Sequence, residues 1–165
     1  MEPDLIDLLA AHTLHIDVEN QEFASNFVNI QGFKKTKSKE RILMSTWLDG
    51  YLFSLWVGIK INRRKKDFKS IEKYRSIINR KQQYIYLISM ILSKKEVLIE
   101  LNLESIDAIK ESNVNSKQLS DKLKLICDEF AFGGLDYLKE LFNENEDIFD
   151  DPSFFDEVYK KIKVS

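Results

Sequence analysis

A single cysteine, Cys127, leaves this chain without an internal disulfide, so its stability must come from packing, and a reducing compartment suits it. Five glycines and two prolines among 165 residues are few for a loop-rich or all-β chain. Histidine is limited to His12 and His15, which leaves little for a histidine-based catalytic or metal centre. The sequence has no G-x-x-x-x-G-K-[ST] phosphate loop, no G-x-G-x-x-G turn, no G-x-S-x-G elbow and no H-E-x-x-H pair. The first 33 residues contain no Lys or Arg, hence no basic region of the kind that opens a signal peptide. The one candidate for a membrane span, Ile42 to Ile59, has Asp49 near its centre and basic residues at both ends. Charge at that depth is expensive in lipid, so a buried helix in a cytoplasmic protein with no membrane partner is expected.

What is present is an uneven distribution of charge. Residues 34–81 hold fifteen Lys/Arg against four Asp/Glu, a net of +11, between a first segment at −6 and a last one at −7. The overall −2 hides this acidic–basic–acidic order. Either an anionic partner meets the basic belt or the acidic flanks fold back onto it. Hydrophobic residues make up 44% and charged residues 32%, too apolar for a disordered chain. The length fits one domain with a substantial core.

Periodicity gives an all-α reading: a compact single-domain bundle of about six to eight helices across residues 1–165, with room for one minor β element. A first helix is expected from Pro3–Asp4, placing Leu5, Leu8, Leu9, His12 and Ile16 on one face, and a second element over Glu19 to Ile30. A basic linker follows near 32–40. Arg41 to Ile61 reads as the central helix, with Trp47, Leu48, Leu52, Leu55 and Trp56 buried and Gly58 or Asn62 ending it. Helical spacing continues over Phe68 to Asn79. Tyr84–Leu92 and Val97–Leu103 are apolar runs that periodicity cannot assign to helix or strand, although their neighbours favour helix. A short helix around Ser105–Lys110 and a turn at Asn113 to Ser116 follow. The amphipathic stripe Leu119, Leu123, Ile126, Cys127 and Phe130 leads to Gly133-Gly134, where a structural turn with positive φ is expected, one helix ending and another beginning. An acidic linker is expected near 144–151, and a last helix through Phe154, Phe155, Val158 and Ile162.

The candidate functional residues fall into four groups. Arg63, Arg64, Lys65, Lys66, Lys69, Arg80 and Lys81 form a nucleic-acid or anion-binding candidate, because phosphates are met by cations spread over a surface; the alternative is an ordinary solvated face. Asp49, a carboxylate within an aromatic-rich helix, is an interface candidate or else the partner of one belt residue. His12 and His15, three apart on a helix, would bring two imidazoles toward one metal with Asp17 or Glu19 nearby, but as they stand they are fewer ligands than a site needs, so no metal is assigned. Cys127 on an apolar stripe behaves as a small hydrophobe, and Asp67-Phe68-Lys69 lacks the converging carboxylates of a nuclease. No catalytic residue and no cofactor is assigned.

Two stretches carry a resemblance. DGYLFSLWVGIKINRRK (Asp49 to Lys65) is similar to the aromatic/alanine helix and Gly-x-x-x-x-Arg-Arg turn of small bacterial proteins associated with DNA-phosphorothioation (Dnd) systems. CDEFAFGGLDYLKELF (Cys127 to Phe142) resembles their acid, aromatic, small residue, Gly-Gly-Leu, acid pattern. The likeness spans roughly Arg41 to Phe142, and Phe53, Ser54, Leu55 and Trp56 stand where the family often carries alanines. The resemblance implies an accessory protein of a bacterial anti-phage or DNA-modification locus. The expectation is therefore a non-enzymatic adaptor that assembles with larger enzymatic subunits, or with a second copy of itself. A DNA-binding module using the belt is the alternative, and a small metal-dependent nuclease comes third.

Overall fold

The computed structural model describes residues 4–28, 44, 46–74, 77–111, 115–149 and 153–164. The basic linker expected at 32–40 lies outside them, as do most of the first residues of the expected central helix and of the turn at 113–116. The described chain is mostly helical with one two-stranded sheet. Among the described residues no helix is long and apolar enough to cross a membrane.

The N-terminal segment departs from the expected helix. Helix α1 (Leu5–Ala10) stops early, and β1 (Leu14–Asp17) follows. Leu9, His12 and Ile16 suit a helical face, but Leu14 and Ile16 also alternate as a strand, and pairing decided between the two. The partner is β2 (Ser70–Tyr74), inside the stretch read above as helical. The strands are antiparallel, with His15 opposite Glu72 and Ile16 opposite Ile71, and the register shifts between Leu14 and His15. Between them in sequence, α2 (Gln21–Ala24) is a single turn, shorter than expected.

The central helix α3 (Trp47–Lys60) starts later than expected, at a Thr46 cap whose hydroxyl oxygen accepts from the Asp49 amide. Its end is set by Asn62 at φ 54°: the Arg63 amide donates to the Gly58 carbonyl and the Asn62 amide to Ile59, a left-handed cap that asparagine tolerates. Gly58 is thus interior, not a terminator. Trp47, Leu48 and Leu55 are buried as expected, whereas Leu52 and Trp56 are half-exposed.

Both ambiguous apolar runs are helical: α4 (Lys81–Leu92) and α5 (Lys95–Glu100). The short α6 (Ala108–Glu111) comes next, and then α7 (Ser116–Glu144), capped by Asn115, whose side chain accepts from the Lys117 and Gln118 amides. The helix α7 runs unbroken through Gly133 and Gly134, so the turn expected there does not exist. Nor is 144–151 an open linker as far as it is described: Glu144 ends α7, and a 3-10 turn over Glu146–Phe149 buries Ile148. The C-terminal α8 (Phe154–Val164) lies where expected.

The glycines are there for packing. Helices α3 and α7 make the most extensive contact in the molecule. A Cβ on Gly58 would lie 1.9 Å from the Phe130 carbonyl oxygen, and one on Gly134 would lie 1.9 Å from that of Ser54. Neither backbone can yield without parting the helices. A mid-helix glycine costs about 1 kcal/mol relative to alanine, and here it permits an approach that no other residue allows. Around the crossing, Tyr51, Leu55, Phe130, Leu135 and Leu138 join one hydrophobic core with α1, α4 and β1.

Gly134→Ala should therefore destabilise the protein by at least ~2 kcal/mol despite its better helix propensity, as overpacking against backbone does. Leu55→Ala should cost roughly 2–5 kcal/mol as a cavity in a closed core, and Leu52→Ala clearly less. Urea unfolding of the three variants checks the order; a Gly134→Ala protein as stable as the wild type would contradict this account of the crossing.

Candidate functional site

The belt residues after α3 lie directly on α7. Gly133 has no Cβ to meet the Arg63 carbonyl and the Arg64 amide, so the chain settles on the helix and the Lys65 amide donates to the Glu129 carbonyl at 2.9 Å. From this platform the cations reach a stripe of acids on α7 and the flanks. The guanidinium of Arg63 makes two hydrogen bonds to Glu140, at 2.7 and 2.8 Å. Arg64 is held between Glu129 and Glu100, with Nη1 2.6 Å from Glu100 Oε2. Lys65 Nζ meets the fully buried carboxylate of Asp17, with Glu19 at 2.9 Å and Asp136 at 3.4 Å. Further along, Arg80 lies 3.5 Å from Asp49 and Lys81 3.0 Å from Asp7.

The pairings of Arg63, Arg64 and Lys65 hold these cations in the charged form. Burial pulls the Lys65 pKa down, but the hydrogen bonds to Asp17 and Glu19 more than offset it, so the ammonium is held protonated. The Glu140 carboxyl sits below its ordinary range because Arg63 donates to it, and Glu100 does so because of Arg64. Five of the seven belt candidates are thus engaged internally. Lys66 and Lys69 are exposed. Asp49 turns out to lie in the first turn of α3, where the helix dipole favours a carboxylate. Asp67 is exposed before β2. Gly133 and Gly134, expected as a turn, form the saddle on which the belt and α3 rest.

Beneath the belt is a buried polar cluster around Asp128 of α7. Its Oδ1 accepts from the Tyr51 hydroxyl at 2.7 Å and lies 3.6 Å from His12 Nε2; its Oδ2 lies 3.5 Å from His15 Nδ1. His12 Nδ1 is 2.6 Å from the Tyr84 hydroxyl, which is also near the Cys127 thiol. Burial pushes the Tyr51 and Tyr84 hydroxyls well up and the Cys127 thiol to about 12, so none of these three ionises near neutrality. Burial also pushes the Asp128 carboxyl up, but the two imidazoles and Tyr51 outweigh it and the group stays ionised. Sequence reasoning paired the histidines with Asp17 or Glu19; Asp17 instead serves Lys65. Asp128 was missed because it lies over a hundred residues away on a helix whose apolar stripe drew attention to Cys127.

The third feature is an aromatic surface. A groove of about 570 Å³ is lined by Leu52, Phe53 and Trp56 of α3 and by Gln82, Gln83 and Tyr86 of α4, with the Asp49–Arg80 pair at its rim. Tyr86 is 66% exposed. On the other side Phe53 stacks on Trp56 at 5.9 Å, Trp56 on Tyr159 at 6.4 Å, and Phe155 meets Phe53 edge-on at 5.2 Å. Phe155 and Tyr159 of α8 are about half exposed. The half-exposure of Leu52 and Trp56 thus has a location: they are the floor of this surface.

Lys65→Met should cost about 3 kcal/mol, because it strands the buried Asp17 carboxylate. Arg63→Met, which breaks a half-exposed pair, should cost under ~1 kcal/mol. Denaturant unfolding of both variants distinguishes the two kinds of belt residue. Set against known protein families, curated proteins and solved structures, the chain matches none of them.

Proposed function

We propose that this protein is a non-enzymatic adaptor that grips an extended or helical segment of a partner protein in the aromatic groove between α3 and α4. The observation that carries the reading is the contrast between its two candidate surfaces. Of the seven belt residues that are candidates for nucleic acid, five pair with acids of this same chain. The aromatic face instead presents Trp56, Tyr86, Phe155 and Tyr159 to solvent. Large exposed aromatic patches are rare on a monomer surface without an interaction role, and tyrosine and tryptophan are the residues on which protein interfaces concentrate their energy. The amides of Gln82 and Gln83 and the ion pair at the rim offer the hydrogen-bonding groups that a peptide backbone needs once it is desolvated. The resemblance of Asp49–Lys65 and Cys127–Phe142 to Dnd-associated proteins supports placing the partner among the enzymatic subunits of a prokaryotic defence or DNA-modification system. The belt's pairing also makes reversal of Arg63, Arg64 and Lys65 a lesion of the fold rather than a clean test of DNA binding. Lys66 and Lys69 are the residues with which to probe DNA.

The isolated chain should bind duplex DNA no more tightly than a non-specific contact, roughly 10⁻⁴–10⁻⁶ M at physiological salt. Tagged in its own cell, it should co-purify with a defence-locus enzyme subunit. Trp56→Ala with Tyr86→Ala should abolish that association, and Lys66→Glu with Lys69→Glu should leave it intact. Tight, salt-sensitive DNA binding that Lys66→Glu/Lys69→Glu destroys would favour the nucleic-acid reading and overturn this one.

A further inference from the structure

The cluster around Asp128 brings two imidazoles to one buried carboxylate. The Tyr84 hydroxyl has one proton and two neighbours, His12 Nδ1 at 2.6 Å and the Cys127 thiol. His15 Nδ1 is buried and has no hydrogen-bond partner. The separations of 3.6 and 3.5 Å that His12 Nε2 and His15 Nδ1 keep from the two carboxylate oxygens are too long for good hydrogen bonds. They are close to what two ligands show across a shared ion. Bonds of about 2.0–2.1 Å at tetrahedral angles place neighbouring donor atoms roughly 3.3 Å apart. One donor atom from each of His12, His15 and Asp128 lies within 4.8 Å of the others.

We propose that His12, His15 and Asp128 bind one divalent transition-metal ion of the zinc class. Two imidazole nitrogens and one carboxylate oxygen are a borderline donor set, which favours Zn²⁺ or Co²⁺ over Mg²⁺ or Ca²⁺. The outer shell is already built: Tyr84 holds the far nitrogen of His12, and the Tyr51 hydroxyl donates to Asp128 Oδ1. The imidazole of His15 is about one-third exposed, whereas its Nδ1, His12 and Asp128 are buried. The ion would fasten β1 and the segment before it to the middle of α7. This explains why a polar cluster occupies a place in the core where apolar side chains would otherwise pack. The site is independent of the aromatic groove.

Purified, chelator-stripped protein should bind one equivalent of Zn²⁺ by calorimetry and one of Co²⁺ with visible absorption from a low-coordinate ion. Mg²⁺ at the same concentration should give neither. Zn²⁺ should raise the thermal midpoint of the wild type and leave that of His15→Gln unmoved. His15→Gln should weaken binding at least tenfold while its circular dichroism stays native, since the ring is partly at the surface. Asp128→Asn should weaken binding comparably; if it does not fold, the His15→Gln result decides alone. Absence of Zn²⁺ and Co²⁺ binding by the wild type at about 1 mM metal, where ΔG° of association would be only about −4 kcal/mol, would overturn the proposal. So would an affinity unchanged by His15→Gln.

Discussion

Everything in this fold depends on how closely α3 and α7 can approach. With Gly58 and Gly134 facing each other's backbones, the two helices touch through main-chain atoms rather than through side chains. Dispersion and close packing then act along the contact, with large buried residues on either side of the crossing. The same approach fixes where α3 ends relative to α7. Its left-handed cap at Asn62 turns the chain onto Gly133, and from there Arg63, Arg64 and Lys65 have only one set of acids within reach. A steric requirement at two glycines therefore sets the electrostatics of the belt.

This arrangement gives part of the charge pattern a place in the fold. A +11 segment between two acidic ones invites a nucleic-acid interpretation, because a linear count treats every cation as available. In three dimensions the acidic flanks supply Asp7, Asp17 and Glu19 from one side and Glu100, Glu129, Asp136 and Glu140 from the other. Most exposed pairs of this kind add little stability. The pair of Lys65 with Asp17 is different, because a carboxylate with no solvent contact depends on its cation. The charge order along the chain thus matches which segments meet.

The helical class, the burial of Trp47, Leu48, Leu55 and Cys127, and the final helix were legible because strong 3.6-residue periodicity coincides there with a real apolar face. Two local readings failed for separate reasons. Leu9, His12 and Ile16 fit a helix, and Ile71, Tyr74, Ile77 and Ile78 fit another, because short apolar patterns satisfy two periods at once; only the pairing of Leu14–Asp17 with Ser70–Tyr74 breaks the tie, and that is a non-local fact. Gly133-Gly134 was read as a break because glycine's backbone freedom is visible in sequence, whereas its lack of a side chain matters only beside a partner helix. A clue was present: Glu129, Gly133, Asp136 and Glu140 share one face of a continuous helix and would not if the helix stopped. The Asp128 cluster needed three segments brought together by β1 and the helix crossing, and no spacing within any one of them announces it.

The long helix α7 has a consequence for the nascent chain. Arg63, Arg64 and the glycine-lined side of α3 all wait for residues of α7; Arg63 and its partner Glu140 are 77 positions apart. At a synthesis rate of about 5–20 residues per second, the ribosome needs roughly 4–15 s to cover that distance. For that interval the cationic segment emerges beside ribosomal RNA with no intramolecular acid from α7 to meet it, and α3 has no partner for its glycine-lined side. The order in which the acids appear along the chain thus makes completion of the C-terminal third the step at which Arg63 and Arg64 gain their α7 partners.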